Sequence, residues 1–289
     1  MVKLVTMTNI PLPNRHIFSY FRNRRRSKLR RQPFPEAWLA IIRSNVPVFV
    51  RMPERAQEEL LEHVQVFLHE KRFEGCGGLE LTDEIRVTIA AQACVLLVHR
   101  DSRYFPKLRS ILVYPDAYVT KATSWSEDGT LTEKASHRLG ESWGSGSVVL
   151  SWNASESGAA SPHDGNNVVF HEFAHQLDQE DGQADGAPIL GRRVTRTERR
   201  SMYLSWARIM QSEFDQLQDL TERGKKTLID DYGATNPAEF FAVATETFFE
   251  KPRLLLERHH SLYEQLREYY CQDPATWPKK APLDADEKD

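Results

Sequence analysis

The sequence predicts an α+β fold in which a small mixed sheet lies between helical N-terminal and C-terminal parts. Three observations lead there. Apolar residues recur at helical spacing towards both ends of the chain, short β-rich runs are confined to its middle, and the 289 residues are 40% hydrophobic and 27% charged. That composition can bury one sizeable core and excludes a disordered, collagenous or wholly coiled-coil protein. A single domain is expected over residues 36–275, with an extension at 1–35 and an acidic polar tail at 276–289.

The extension has no periodicity and is punctuated by Pro11, Pro13, Pro33 and Pro35. Between Arg22 and Arg31 it carries seven cations and no acid, against a net charge of only −3 for the chain. Like charges repel, so this arm is expected to be a solvated, disordered tail, and it is the one place where contact with nucleic acid would be expected. Helical parts follow over 36–105. Leu60, Leu61, Val64, Phe67 and Leu68 share one helical face, as do Ile85, Ile89, Ala93 and Leu96 on a more apolar helix. Two helices are thus expected before the sheet.

Strands are expected within 106–155, at Ile111 to Tyr114 and Val148 to Trp152, bounded by Pro115 with Asp116 and by Gly144 with Gly146. The stretch from Asn153 to Asn166, rich in Ser, Ala and Gly, reads as a mobile connection. A helix is expected over 165–182, ended by Asp181 and Gly182. Helical residues resume over 195–272, with Asn236-Pro237-Ala238-Glu239 forming a helix start: Asn as cap, Pro in the first turn, Glu at the third position.

Three cysteines far apart, Cys76, Cys94 and Cys271, suggest neither a disulfide framework nor a cysteine metal site, and fit a reducing compartment. No apolar run is long enough to cross a bilayer, and no apolar segment follows the basic run as a secretory signal would require. A cytoplasmic protein without membrane insertion is expected.

The chemistry lies in His171-Glu172-Phe173-Ala174-His175, an HExxH pattern on the apolar helix that begins Val168-Val169-Phe170. Four residues is just over one helical turn, so both imidazoles project from one face and can bind one ion. Glu172 then sits where a general base is needed to take a proton from water made acidic by that ion. A catalytic site of this kind needs a third protein ligand. Asp181, six residues beyond His175, is one candidate, but Asp178 occupies the place of the Gly that would let the chain turn back. Glu239 and Glu246 are the others, two turns apart on the apolar helix Pro237 to Phe249, where a carboxylate requires a partner. Either could be the ligand. Otherwise Glu239 would serve in a capping box and Glu246 as acceptor for a liganding imidazole. Val148 to Ser151 reads as an edge strand to which an extended peptide could add.

Together, VVFHEFAHQLD (Val168 to Asp178), NPAEFFAVATETFF (Asn236 to Phe249) with Tyr232, and SWGSGSVVLSW (Ser142 to Trp152) resemble the Mlc titration factor A family, zinc-dependent peptidases of bacteria. The resemblance runs from about Glu36 to Pro274, and the basic arm lies outside it. It implies a zincin-like metallopeptidase domain of gluzincin type, similar to the catalytic domain of anthrax lethal factor. By that resemblance His171, His175 and Glu239 hold one zinc ion per chain, Glu172 is the base and Tyr232 donates its hydroxyl to the oxyanion. It also implies an aminopeptidase-like activity on a peptide substrate and a glucose-uptake repressor, Mlc or its like, as partner. An upstream metal-associated histidine of the family has no clear counterpart; Thr132 falls near its position and His137 lies a few residues on. The rival expectation is a non-hydrolytic protein that sequesters a transcription factor.

Overall fold

The computed structural model describes residues 15–278 apart from 102, 117, 126–130, 139, 144–145, 162–164 and 192–193, and the side chains of 15–19 and 118–143 also lie outside it. The acidic tail beyond 278 and the first fourteen residues are therefore outside the described residues.

Four helices open the fold: α1 (Arg15–Arg30), α2 (Glu36–Asn45), α3 (Pro47–Arg51) and α4 (Glu54–Glu70). The first corrects the expectation of a disordered arm. Self-repulsion along α1 is offset by partners distant in sequence: Arg26 makes two 2.7 Å hydrogen bonds to the Glu70 carboxylate, Arg30 donates to the Tyr104 hydroxyl, and the Arg26 guanidinium lies 4.5 Å from the Tyr104 ring centre. Such bidentate and ring contacts are worth far more than a solvated charge.

The chain then forms β1 (Arg72–Gly75), α5 (Asp83–Val95), β2 (Ser110–Tyr114), β3 (Tyr118–Trp125), β4 (Leu131–Arg138), β5 (Gly140–Trp143) and β6 (Ser147–Ser151). One sheet has the order β1-β2-β6-β5, its first three strands parallel and β5 antiparallel to β6; β3 and β4 pair separately as an antiparallel hairpin. The fold is α+β. Two expectations change. A strand precedes α5, so the sheet does not begin after two helices; β1, Arg-Phe-Glu-Gly, contributes one apolar residue and has no periodicity to betray it. And β6 is no edge: it lies between β2 and β5, with Val148, Val149 and Leu150 all buried, as expected of an interior strand. The edge on that side is β5.

After β6 comes α6 (Trp152–Ala160), where a mobile connection was expected. Ser151 caps it by accepting from the Ala154 amide, and Ser155 donates to the Ser151 carbonyl, so serines that weaken a helix interior here secure its first turn. Next are α7 (Val168–Asp178), α8 (Arg196–Glu222), a 3-10 turn (Asp231–Ala234), α9 (Pro237–Glu250), α10 (Pro252–Arg258) and α11 (His260–Tyr270). Thr195 and Glu198 form a capping box at the start of α8. Among the described residues no helix is long and apolar enough to cross a membrane.

The core gathers around α7 and α9. Phe173 has its ring centre 4.8 Å from that of Phe105 and 5.7 Å from that of Phe67, while Phe170 packs on Phe249. Phe173 is fully buried, so Phe173→Ala is expected to cost about 3–5 kcal/mol by opening a cavity behind the histidine-bearing helix. Chemical denaturation checks this; a loss under about 1 kcal/mol would mean that the cluster collapses freely around the gap.

Candidate metal centre

Helix α7 owes its position to the residue that caps it. The Asn167 side chain accepts from the Phe170 amide, its Nδ2 donates to Gln92 on α5, and its own backbone N–H donates to Glu246 on α9. Cap, neighbouring helix and α9 are thereby locked together before the histidines are reached. Helix α9 starts as its sequence requires, with Asn236 accepting from the Ala238 and Glu239 amides. The Glu239 carboxylate does not return to the cap; it turns to the histidines.

His171 and His175, one turn apart, face α9. His171 Nε2 is 2.9 Å from Glu239 Oε2, His175 Nε2 is 3.2 Å from the same oxygen, and the two Nε2 atoms are 3.2 Å apart. Three donor atoms so close around one point are poorly explained as hydrogen bonds, since two imidazole nitrogens share a single carboxylate oxygen. They fit a tetrahedral ion: bonds of about 2.0–2.1 Å place neighbouring ligand atoms about 3.3 Å apart. Among the described residues this is the one group of His, Cys, Asp and Glu that could hold a metal ion.

The two glutamates that spacing left equivalent are separated by this geometry. Glu239 meets the Nε2 side of His171, and Glu246 meets the Nδ1 side at 2.8 Å while also accepting from the Asn167 amide. A carboxylate only accepts, so Nδ1 carries a proton and the ring is oriented with Nε2 towards Glu239 and His175. Burial lowers the proton affinity of His171, but hydrogen bonds to Glu239 and Glu246 outweigh it and hold the imidazole at about 10 in the metal-free protein. Burial acts on Glu239 in the opposite sense, and its hydrogen bonds with His171 and His175 bring its carboxyl down to about 2. The trio without an ion is thus an imidazolium–carboxylate pair, and an ion held by these residues would take the place of the Nε2 proton.

Glu172, between the two histidines in sequence, is buried. Tyr232 lies on the 3-10 turn, fixed by the Asp230 side chain accepting from its amide; its ring centre is 5.9 Å from that of His171, and it is 54% exposed, open to whatever approaches the trio. Asp181 is not brought to the site: it is exposed and accepts from the Gln183 amide. His137 falls on β4, whose side chains lie outside the described residues.

Asp178 is a site feature that sequence reading missed, having weighed it only as a missing glycine. It is fully buried at the end of α7 and accepts from the Gly186 amide. Gly186 has φ +75, its carbonyl accepts from the Trp206 indole, and a Cβ there would meet the Pro237 carbonyl oxygen at 2.4 Å, so only glycine lets this loop pass between α7 and the start of α9. The signal available was an Asp continuing the buried face of an apolar helix. Burial pushes the Asp178 carboxyl up to about 6, partly offset by the Gly186 amide. The unfolded chain therefore ionises this group first, and its contribution to stability falls as pH rises from about 4 to about 6. Asp178→Asn keeps the acceptor and removes the titration. The stability difference between wild type and variant is expected to shift by about 2 kcal/mol in favour of the variant between pH 4 and pH 7.5; urea midpoints that run parallel over that range would show Asp178 to be ionised at low cost.

Comparison with known proteins defines the class first: a metallopeptidase. Residues 20–271 match the family described as glucose-regulated metallo-peptidase M90, and the chain belongs to that family. The match begins inside the basic helix, so α1 is part of the family's pattern rather than an appendage to it. The chain is similar to an uncharacterized protein, slr2042, of Synechocystis, with 43% identity over 251 residues, 86% of this chain and 89% of that protein. It is similar also to proteins named Mlc titration factor A from Klebsiella pneumoniae, 32% identical over 79% of this chain and 84% of the relative, and from Cronobacter sakazakii, 30% identical over 84% and 87%.

Proposed function

We propose that the chain is a zinc-dependent, aminopeptidase-like peptidase with a zincin-like domain of gluzincin type, in which His171, His175 and Glu239 hold one zinc ion. The observation that carries this reading is the triangle of two Nε2 atoms and one carboxylate oxygen with sides of 2.9, 3.2 and 3.2 Å. Zinc is favoured over harder cations because two of three donors are imidazoles. A bound zinc ion would polarise a peptide carbonyl and raise the acidity of water beside it.

The residues around the ion divide the remaining work. Glu172 takes the proton from the attacking water and returns it to the leaving amine, a task suited to a carboxylate sheltered from bulk solvent beside the ligands. Tyr232 donates its hydroxyl to the oxygen that becomes negative. Glu246 keeps His171 in the required tautomer. An extended peptide pairs with β5, the strand that borders the sheet on this side, rather than with β6.

The reading is tested by metal analysis of the purified protein together with hydrolysis of a panel of amino-acid anilides. About one zinc per chain and chelator-sensitive cleavage are expected. Absence of stoichiometric zinc would overturn it. The names of the relatives favour a second role, binding of an Mlc-like transcriptional repressor in the cytoplasm, where the three free cysteines, Cys76, Cys94 and Cys271, would stay reduced.

A further inference from the structure

We propose that a pocket of about 570 Å³ between α1, the end of α4 and the segment 103–108 binds a small phosphorylated metabolite, a compound carrying a phosphate ester or diphosphate. Arg22, Arg25, Arg26, Lys71 and Arg103 line it, and Glu70 is its one acidic residue. Glu70 is already engaged, holding both donor nitrogens of Arg26 at 2.7 Å. Among the described residues no carboxylate forms a close ion pair with Arg22, Arg25 or Arg103, and Arg22 shares only the longer-range field of Glu70. The lining therefore carries an excess of cations that a dianionic ligand would neutralise, and guanidinium forks match phosphate oxygens in geometry as well as charge.

The pocket is built rather than left over from surface charge. Lys71 is buried, and two of its three N–H groups donate to the Phe105 and Leu108 carbonyls at 2.8 Å. Those carbonyls converge because Tyr104 and Phe105 both take left-handed backbone, φ 57 and 50, which non-glycine residues avoid. Their buried side chains enforce it: Tyr104 is held by His63 and Arg30, and Phe105 by Phe67 and Phe173. Two consecutive strained residues beside a buried ammonium are what a binding site retains and a mere connection would shed. Burial also brings the Lys71 amine down to about 8, and an anion nearby would raise it again.

Volume and placement favour a small ligand over a polymer. The cavity has the size of small-molecule sites. Arg24 and Lys28, exposed on the same helix, do not line it, whereas a groove for nucleic acid or a face for anionic lipid would enlist the helix's cations along its length. Phe21, 59% exposed at the pocket, offers a ring face to a base or sugar. No residue of the His171–His175–Glu239 trio lines the pocket, so this site stands apart from any hydrolysis.

Calorimetric titration of the full-length, metal-loaded protein with inorganic pyrophosphate and with adenosine diphosphate, at physiological ionic strength, tests the proposal. Saturable binding is expected, weakened at least about tenfold by Arg22→Glu with Arg25→Glu and changed less than about twofold by Arg24→Glu. All three positions are exposed, and circular dichroism verifies that the variants fold. Absence of binding, or equal weakening by Arg24→Glu, would overturn it. So would binding abolished by a chelator but untouched by the arginine changes, which would put the probe at the metal centre. Single-stranded RNA or phosphatidylserine vesicles that bind more tightly and resist displacement by pyrophosphate would make α1 a polymer or membrane surface instead.

Discussion

Glu239→Ala is expected to reduce zinc from about one ion per chain to a trace and to abolish anilide hydrolysis, because two imidazoles alone do not complete a three-ligand site. The variant also leaves His171 with one carboxylate partner in place of two, so its imidazole should titrate nearer the ordinary histidine range, readable by NMR of the metal-free protein. Glu246→Ala is the necessary companion. It leaves the three donors intact but frees the His171 ring to rotate and lose its tautomer, and should weaken zinc binding about 10–100-fold without eliminating it. The reverse pattern, zinc kept by Glu239→Ala and lost in Glu246→Ala, would exchange the roles of the two glutamates.

Glu172→Gln should keep zinc at wild-type stoichiometry while hydrolysis falls by about two to four orders of magnitude, the usual contribution of a positioned general base. The amide occupies the same space, so folding should be unaffected. The same variant separates the enzyme from the rival binding protein. If it still captures an Mlc-like repressor with undiminished affinity, binding and hydrolysis are independent properties of one surface. Activity within about tenfold of wild type would remove Glu172 from the mechanism and require another proton acceptor near the trio.

The helices that carry the site were legible by apolar periodicity, α9 also by its Asn236-Pro237 start, whereas the Asn167 cap of α7 is a finding of the structure. Spacing brought His171 and His175 to one face. It could not choose between Glu239 and Glu246, since both lie on the same face of α9, and the choice depends on how far α9 is shifted along α7, a quantity no local pattern encodes. β1 escaped notice because an edge strand of four residues with one apolar side chain has almost no pattern to read. The helical state of the basic segment depends on Glu70 and Tyr104, which a charge count along the chain cannot see. The interior position of β6 likewise follows from pairing with β5 and β2, not from its own valines.

His171 is clasped between two carboxylates of α9 that follow it by 68 and 75 residues in the chain. The candidate metal centre therefore cannot assemble in any fragment that lacks α9 (Pro237–Glu250), however well α7 has folded within it. A nascent chain leaving the ribosome N-terminus first cannot close the His171–His175–Glu239 trio until α9 has emerged and docked, and a chain cut short before Glu239 cannot close it at all. The order of synthesis thus postpones closure of the candidate metal centre to a late stage of folding.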